Sequence, residues 1–99
     1  MFVHHVLFWM KPAPTPAERV QLAAGLNSLK AIDLIRTFQV GAPADTTREV
    51  IDRSYDFSLL MVFDTAADEA AYQQHPVHLA FIDANKHLWQ KVLIYDAVD

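Results

Sequence analysis

Residues Phe2 to Met10 read Phe-Val-His-His-Val-Leu-Phe-Trp-Met, and no strand drawn through them has a polar face. β-branched and aromatic residues in such a run favour extended chain, and Lys11-Pro12 ends it. Alternate side chains of a strand point to opposite faces. Val3, His5, Leu7 and Trp9 therefore share one side, and Phe2, His4, Val6, Phe8 and Met10 share the other. Both sets are apolar, so this strand has to be covered twice. Tyr55 to Phe63 reads as another strand, and its second half, Leu-Leu-Met-Val-Phe, lacks alternation and carries the same demand.

That demand meets a small chain. With 99 residues the protein forms one domain, and a domain of that size buries only about 60–68% of the surface of its unfolded chain. Its apolar content is 53%, above the usual range of about 45–50%, which is more than its own core readily hides. A second copy covering the exposed sheet face is the simplest outlet.

Between the strands lie helical signals. Thr15-Pro16-Ala17-Glu18 combines an N-cap threonine, proline at the first helical position and glutamate three residues after the cap. Leu22, Leu26 and Leu29 follow at helical spacing, which predicts a helix over Pro16–Ala31 with Gly25 inside it, a position suited to close packing against the sheet. A strand is expected over Ile35–Val40, ended by Gly41-Ala42-Pro43. Ala44–Arg53 is a polar, mixed-charge loop with a short turn near Glu49. Thr65 with Asp68 opens a second helical region. Pro76 breaks it, because proline disfavours helical geometry in the residue before it, giving pieces over Ala66–Gln74 and Pro76–His87 kinked at His75. Trp89–Val98 closes the chain as a strand, with Val92, Ile94 and Asp96 on one face. The order β-α-β-β-α-β is the ferredoxin-like split βαβ arrangement of the α+β class: an antiparallel four-stranded sheet with the helices on one side. The other side is free to pair with a second sheet, as a two-fold homodimer or barrel.

Composition removes several functions. A net charge of −4 with eight dispersed basic residues gives no footprint for nucleic acid. Without cysteine there are no disulfides and no thiolate metal sites. No apolar run approaches the ~18 residues of a membrane span, and the opening run has neither the basic n-region nor the cleavage site of a signal peptide. A cytoplasmic protein without cofactor or metal is the expectation.

Polar chemistry concentrates in Tyr72–Phe81, which holds a phenol and two imidazoles. Histidine titrates near physiological pH, so His78 as base and Tyr72 as donor to an enolate oxygen would make an acid–base pair. The same residues admit a packing role, holding the kinked helix on the sheet. His75 precedes Pro76, where a helix cap is the natural role. His75 and His78 at i, i+3 lack a third metal ligand nearby. His87 follows Asp83 by four residues, the spacing of a surface pair. His4 and His5 point to opposite faces, so only one of them can reach a pocket beside Tyr72.

His5-Val6-Leu7-Phe8 with Lys11, Ser-Tyr-Asp-Phe-Ser-Leu in the third strand, Tyr72…His75-Pro76-Val77-His78…Phe81, and the closing Val-Leu-Ile-Tyr-Asp together resemble the Dabb family, the stress-responsive dimeric α/β-barrel domains. The resemblance spans nearly the whole chain, and its most specific part is His-Pro-x-His with the preceding tyrosine. It implies the ferredoxin-like fold, a homodimer closing a β-barrel, and a pocket between sheet and helices. By similarity to plant polyketide cyclases of the family, it implies cofactor-independent catalysis with Tyr72 and His78 as acid/base pair and His5 as a further pocket histidine. The expectation is a cyclase or isomerase acting on a small, apolar, polyketide-like carbonyl compound; the alternatives are a noncatalytic dimer binding a small ligand and a stress-related structural dimer. Cofactor-free monooxygenases share this fold, but no motif specific to them is present. A cavity touching Tyr72 and His78 would support the first two readings, and a segment packed solid by Leu79, Phe81 and Ile82 would support the structural one.

Overall fold

A computed structural model describes all residues from Met1 to Asp99. The strands are β1 (Phe2–Met10), β2 (Thr37–Gly41), β3 (Phe57–Phe63) and β4 (Trp89–Val98), and the helices are α1 (Pro16–Ser28), α2 (Ala66–Gln73) and α3 (Pro76–Asn85). The four strands form one antiparallel sheet in the order β2-β3-β1-β4. This is the ferredoxin-like α+β architecture expected from the element order.

The termini of the elements follow local chemistry. Thr15 accepts from the Glu18 N–H at 3.1 Å while the Thr15 N–H donates to Glu18 Oε1 at 2.8 Å, a complete capping box. At α2 only half of it forms: Thr65 accepts from the Asp68 N–H. The expected helix over Pro16–Ala31 ends in a 3₁₀ turn, Leu29–Ala31, and α3 likewise tightens into a 3₁₀ turn at Lys86–Leu88. His87 thus leaves the α-helical spacing, and its expected pair with Asp83 does not form. β2 begins at Thr37, two residues later than expected, because Ile35 is held in a turn by its N–H to the Ile32 carbonyl.

Strand register sorts the two faces. Phe2, His4, Val6, Phe8 and Met10 of β1 share the helix side with Phe57, Leu59, Met61 and Phe63 of β3 and with Val92, Ile94 and Asp96 of β4. Leu22, Leu26, Leu29 and Ile32 from the α1 region and Phe81 from α3 close over that side as one core, each large side chain contributing about 1.5–3 kcal/mol on burial. Gly25 packs on α3 and not, as expected, on the sheet: a Cβ there would lie 2.7 Å from Asn85 Nδ2.

No helix covers the opposite face. Val3, Leu7, Trp9, Leu60, Val62 and Leu93 are only partly buried there, Tyr95 is 58% exposed, and Lys91 Nζ sits 4.4 Å above the Trp9 ring. An uncovered sheet face with this many partly buried apolar side chains suits a partner surface.

Candidate functional site

The break between α2 and α3 builds the site. The last carbonyls of a helix lack intrahelical donors, and Pro76 supplies no N–H to continue the ladder. His75 takes extended backbone and caps α3, its Nδ1 accepting from the Val77 N–H at 3.1 Å, as its position before the proline implied. The carbonyl freed at Gln73 is taken by His78, whose Nδ1 lies 3.0 Å away. A carbonyl oxygen only accepts, so Nδ1 carries the hydrogen, and the neutral ring keeps its lone pair on Nε2. Desolvation is the main force holding the His78 pKa below its ordinary value, and the charge of His4 adds to it, against weaker support for the cation from the Gln73 carbonyl and Glu69. The ring is therefore a base at neutral pH.

Tyr72, on the last turn of α2, is 1% exposed, with its ring 5.3 Å from that of Phe63 and 4.6 Å from that of His78. Its hydroxyl has no protein partner, yet no side-chain polar atom sealed from solvent lacks one, so the hydroxyl borders open space. Burial, with the Glu69 charge adding, holds the phenol well above its usual pKa. It is a hydrogen-bond donor.

The open space is a cavity of about 130 Å³ between the helix side of β1–β4 and the α2–α3 break. Val6, Phe8 and Leu59 form its floor, Phe81, Ile82 and Trp89 its apolar wall, and His4, Tyr72, Gln73 and His78 its polar end. Val92 and Ile94, 37% and 48% exposed, stand at its mouth. The volume approaches the ~150 Å³ of an apolar cavity that admits a benzene ring. Leu79 points away at 50% exposure, so the segment is not packed solid.

The strand-one histidine in this cavity is His4. His5 does not join Tyr72 and His78: it projects from the opposite, open face, where its Nε2 lies 2.8 Å from Ser58 Oγ. The reason is parity, since the helices cover the face of Phe2, Val6, Phe8 and Met10. His4 is 3% exposed, its ring 6.0 Å from that of Tyr72. β4 places Asp96 directly opposite His4, and Asp96 Oδ1 lies 2.6 Å from His4 Nδ1. Glu69 Oε1 stands 3.7 Å from the same nitrogen and accepts from Gln73 Nε2 at 2.8 Å. His4, Asp96 and Glu69 were not singled out from the sequence as site residues. The facing of His4 and Asp96 on paired strands was the available signal. No group of three or more His, Asp or Glu side chains is arranged to hold a metal ion.

The model of the stress responsive A/B barrel domain matches residues 2–99. The chain belongs to the Dabb family. Among solved structures, a Dabb protein with a ferredoxin-like fold from Mesorhizobium loti superposes with a TM-score of 0.80 at 27% identity, over 99% of this chain and 95% of that one. A dimeric ferredoxin-like protein of unknown function from Bacteroides fragilis gives 0.76 at 21% identity, over 97% and 93%. The hydroxynitrile lyase of Passiflora edulis gives 0.78 at 19% identity, over 97% and 90%; at that identity the likeness is one of fold. No protein of curated function matches this Dabb chain in sequence.

Proposed function

We propose that this Dabb protein is a cofactor-independent acid–base enzyme of the cyclase or isomerase type acting on a small carbonyl compound, and that it works as a homodimer joined through the open sheet face. The observation that carries the reading is the convergence of a lone-pair nitrogen, His78 Nε2, and an unpartnered donor, the Tyr72 hydroxyl, on one apolar cavity. His78 takes a proton from carbon next to the carbonyl, the C–H electron pair moves into the enolate, and Tyr72 donates to the oxygen where charge gathers. In an apolar site each such group is worth about 10²–10⁴-fold in rate. The cavity volume favours a substrate near the size of a single ring over an extended polyketide chain. The dimer reading draws on the open face and on the dimeric structural neighbours.

The test needs no natural substrate. Exchange of the α-protons of cyclohexanone and acetophenone in deuterium oxide, followed by proton NMR, reads proton abstraction directly. Wild-type protein is expected to accelerate exchange, and Tyr72→Phe and His78→Gln each to remove the acceleration with circular dichroism unchanged. The exposed apolar residues Val92 and Ile94 at the mouth also suit a noncatalytic ligand-binding dimer; saturable binding of these ketones without any exchange would favour that second reading.

A further inference from the structure

Gln73 lines the polar end of the cavity, and the proton transfer proposed above draws only on its backbone carbonyl, which holds His78. We infer that its side-chain amide, locked in one orientation by Glu69, is the specificity determinant of the site, and that it selects a compact carbonyl compound that also carries a hydroxyl group. The inference rests on the acid–base reading of Tyr72 and His78 and names the substrate class of that site.

Glu69 and Gln73 stand four residues apart on α2, so their side chains meet on one face of the helix. Glu69 Oε1 lies 2.8 Å from Gln73 Nε2. A carboxylate oxygen accepts, so the end of the amide turned toward it is the NH2. Glu69 itself is well shielded, its side chain 14% exposed, and it stands outside the cavity lining. In a planar amide the oxygen lies away from the partner of the nitrogen. Gln73 Oε1 has no protein partner, yet no side-chain polar atom sealed from solvent lacks one, so Oε1 borders open space. The open space that Gln73 lines is the cavity.

The polar end therefore carries a definite pattern. The Tyr72 hydroxyl donates, while His78 Nε2 and Gln73 Oε1 offer lone pairs. His4, also there, is engaged by Asp96 through Nδ1. A plain ketone answers only part of this pattern. Its carbonyl oxygen accepts from Tyr72, but nothing in it donates to Gln73, and Oε1 loses water on binding without replacement. An unpaired acceptor in an apolar cavity weakens binding by about tenfold or more. A ligand hydroxyl that donates to Oε1 removes the mismatch. The far wall offers no alternative partner, because Phe8, Phe81 and Trp89 close it with rings packed edge and face on one another. The substrate class is a compact hydroxyketone or hydroxyaldehyde with one apolar end and an α-hydrogen.

Two ketones of nearly equal shape test this: 2-hydroxyacetophenone and propiophenone, which differ by a hydroxyl in place of a methyl group on the same carbon. With dissociation constants read by NMR titration of the nitrogen-labelled protein, wild type is expected to bind the hydroxyketone about tenfold or more tightly than propiophenone. Gln73→Met keeps the side-chain length and the backbone carbonyl that holds His78, and removes the acceptor. It should weaken 2-hydroxyacetophenone alone, bringing the two ketones within about threefold of each other. Glu69→Gln leaves Gln73 in place but frees its amide to turn. That variant should narrow the preference and raise the affinity for 2-methoxyacetophenone, whose ether oxygen only accepts. Equal binding of the two ketones by wild type, a preference that survives Gln73→Met, or a Gln73→Met that weakens both ketones alike overturns the inference. Exchange of acetophenone α-protons is followed separately. His78-dependent exchange beside a failed preference leaves the acid–base reading standing, and an intact, Gln73-dependent preference without exchange removes the catalysis and supports the ligand class.

Discussion

His78 donates from Nδ1 to the Gln73 carbonyl oxygen at 3.0 Å, so the helix break itself decides which ring nitrogen faces the cavity. That relationship has a stability signature. The native pKa of His78 lies below its ordinary 6.5, desolvation being the main cause. Between the native and the ordinary value the unfolded chain binds more protons than the folded one, so stability falls as pH falls through this window. Urea midpoints measured from about pH 8 down to about pH 5 should decline in wild type, and His78→Gln should flatten part of that slope. An unchanged slope in the variant would place the titration elsewhere.

Tyr72 separates chemistry from packing. Its hydroxyl makes no protein hydrogen bond, so Tyr72→Phe should change unfolding free energy by less than about 1 kcal/mol while removing exchange activity. The ring is another matter: it is 1% exposed and packs on Phe63, His78 and His4. Tyr72→Ala should cost about 3–5 kcal/mol, read as a lower urea midpoint at constant m-value. If Tyr72→Phe costs as much as Tyr72→Ala, the hydroxyl is a structural group.

Much of this is legible in the sequence. β1 and β4 have the bounds that their β-branched and aromatic runs suggested, and Pro76 marked the break between α2 and α3. What misled was parity. Val3, Leu7 and Trp9 look as fit for a core as Val6, Phe8 and Met10, because one face meets helices and the other remains open for a partner, and both are apolar. Nothing in β1 alone says which histidine goes with which cover. The answer lies in β4, where Asp96 shares a face with Val92 and Ile94 and pairs directly with His4. Gly25 was misplaced for a related reason: a mid-helix glycine announces close approach, but not whether a sheet or a second helix approaches.

The open face of β1 and β3 predicts an assembly. Light scattering at micromolar concentration should give about twice the 11.2 kDa of one chain. Leu7 sits on this face with Leu93 opposite on β4 and Ser58 opposite on β3. Leu7→Asp leaves the helix-side core untouched and places a charge where two sheets would meet, an uncompensated burial costing several kcal/mol. The variant should run as a folded monomer. A wild-type monomer would remove the dimer proposal, and a dimeric Leu7→Asp would move the interface off this face.

Gly25 and Asn85 form the tightest point between α1 and α3. In an exposed helix, replacing glycine by alanine gains about 1 kcal/mol, so propensity alone would make Gly25→Ala stabilising. Here the added Cβ would come within 2.7 Å of Asn85 Nδ2 and 3.0 Å of its Cγ. Asn85 cannot easily give way: it is 5% exposed and its Nδ2 donates to the Phe81 carbonyl at 2.9 Å. The overpacking should outweigh propensity and destabilise by about 1–3 kcal/mol. Because Phe81 lines the cavity, the displacement should also weaken ketone binding. The double variant Gly25→Ala, Asn85→Ala removes the clash, and a double-mutant cycle in urea should show a favourable coupling between the two changes. Strict additivity would mean that the helices simply move apart.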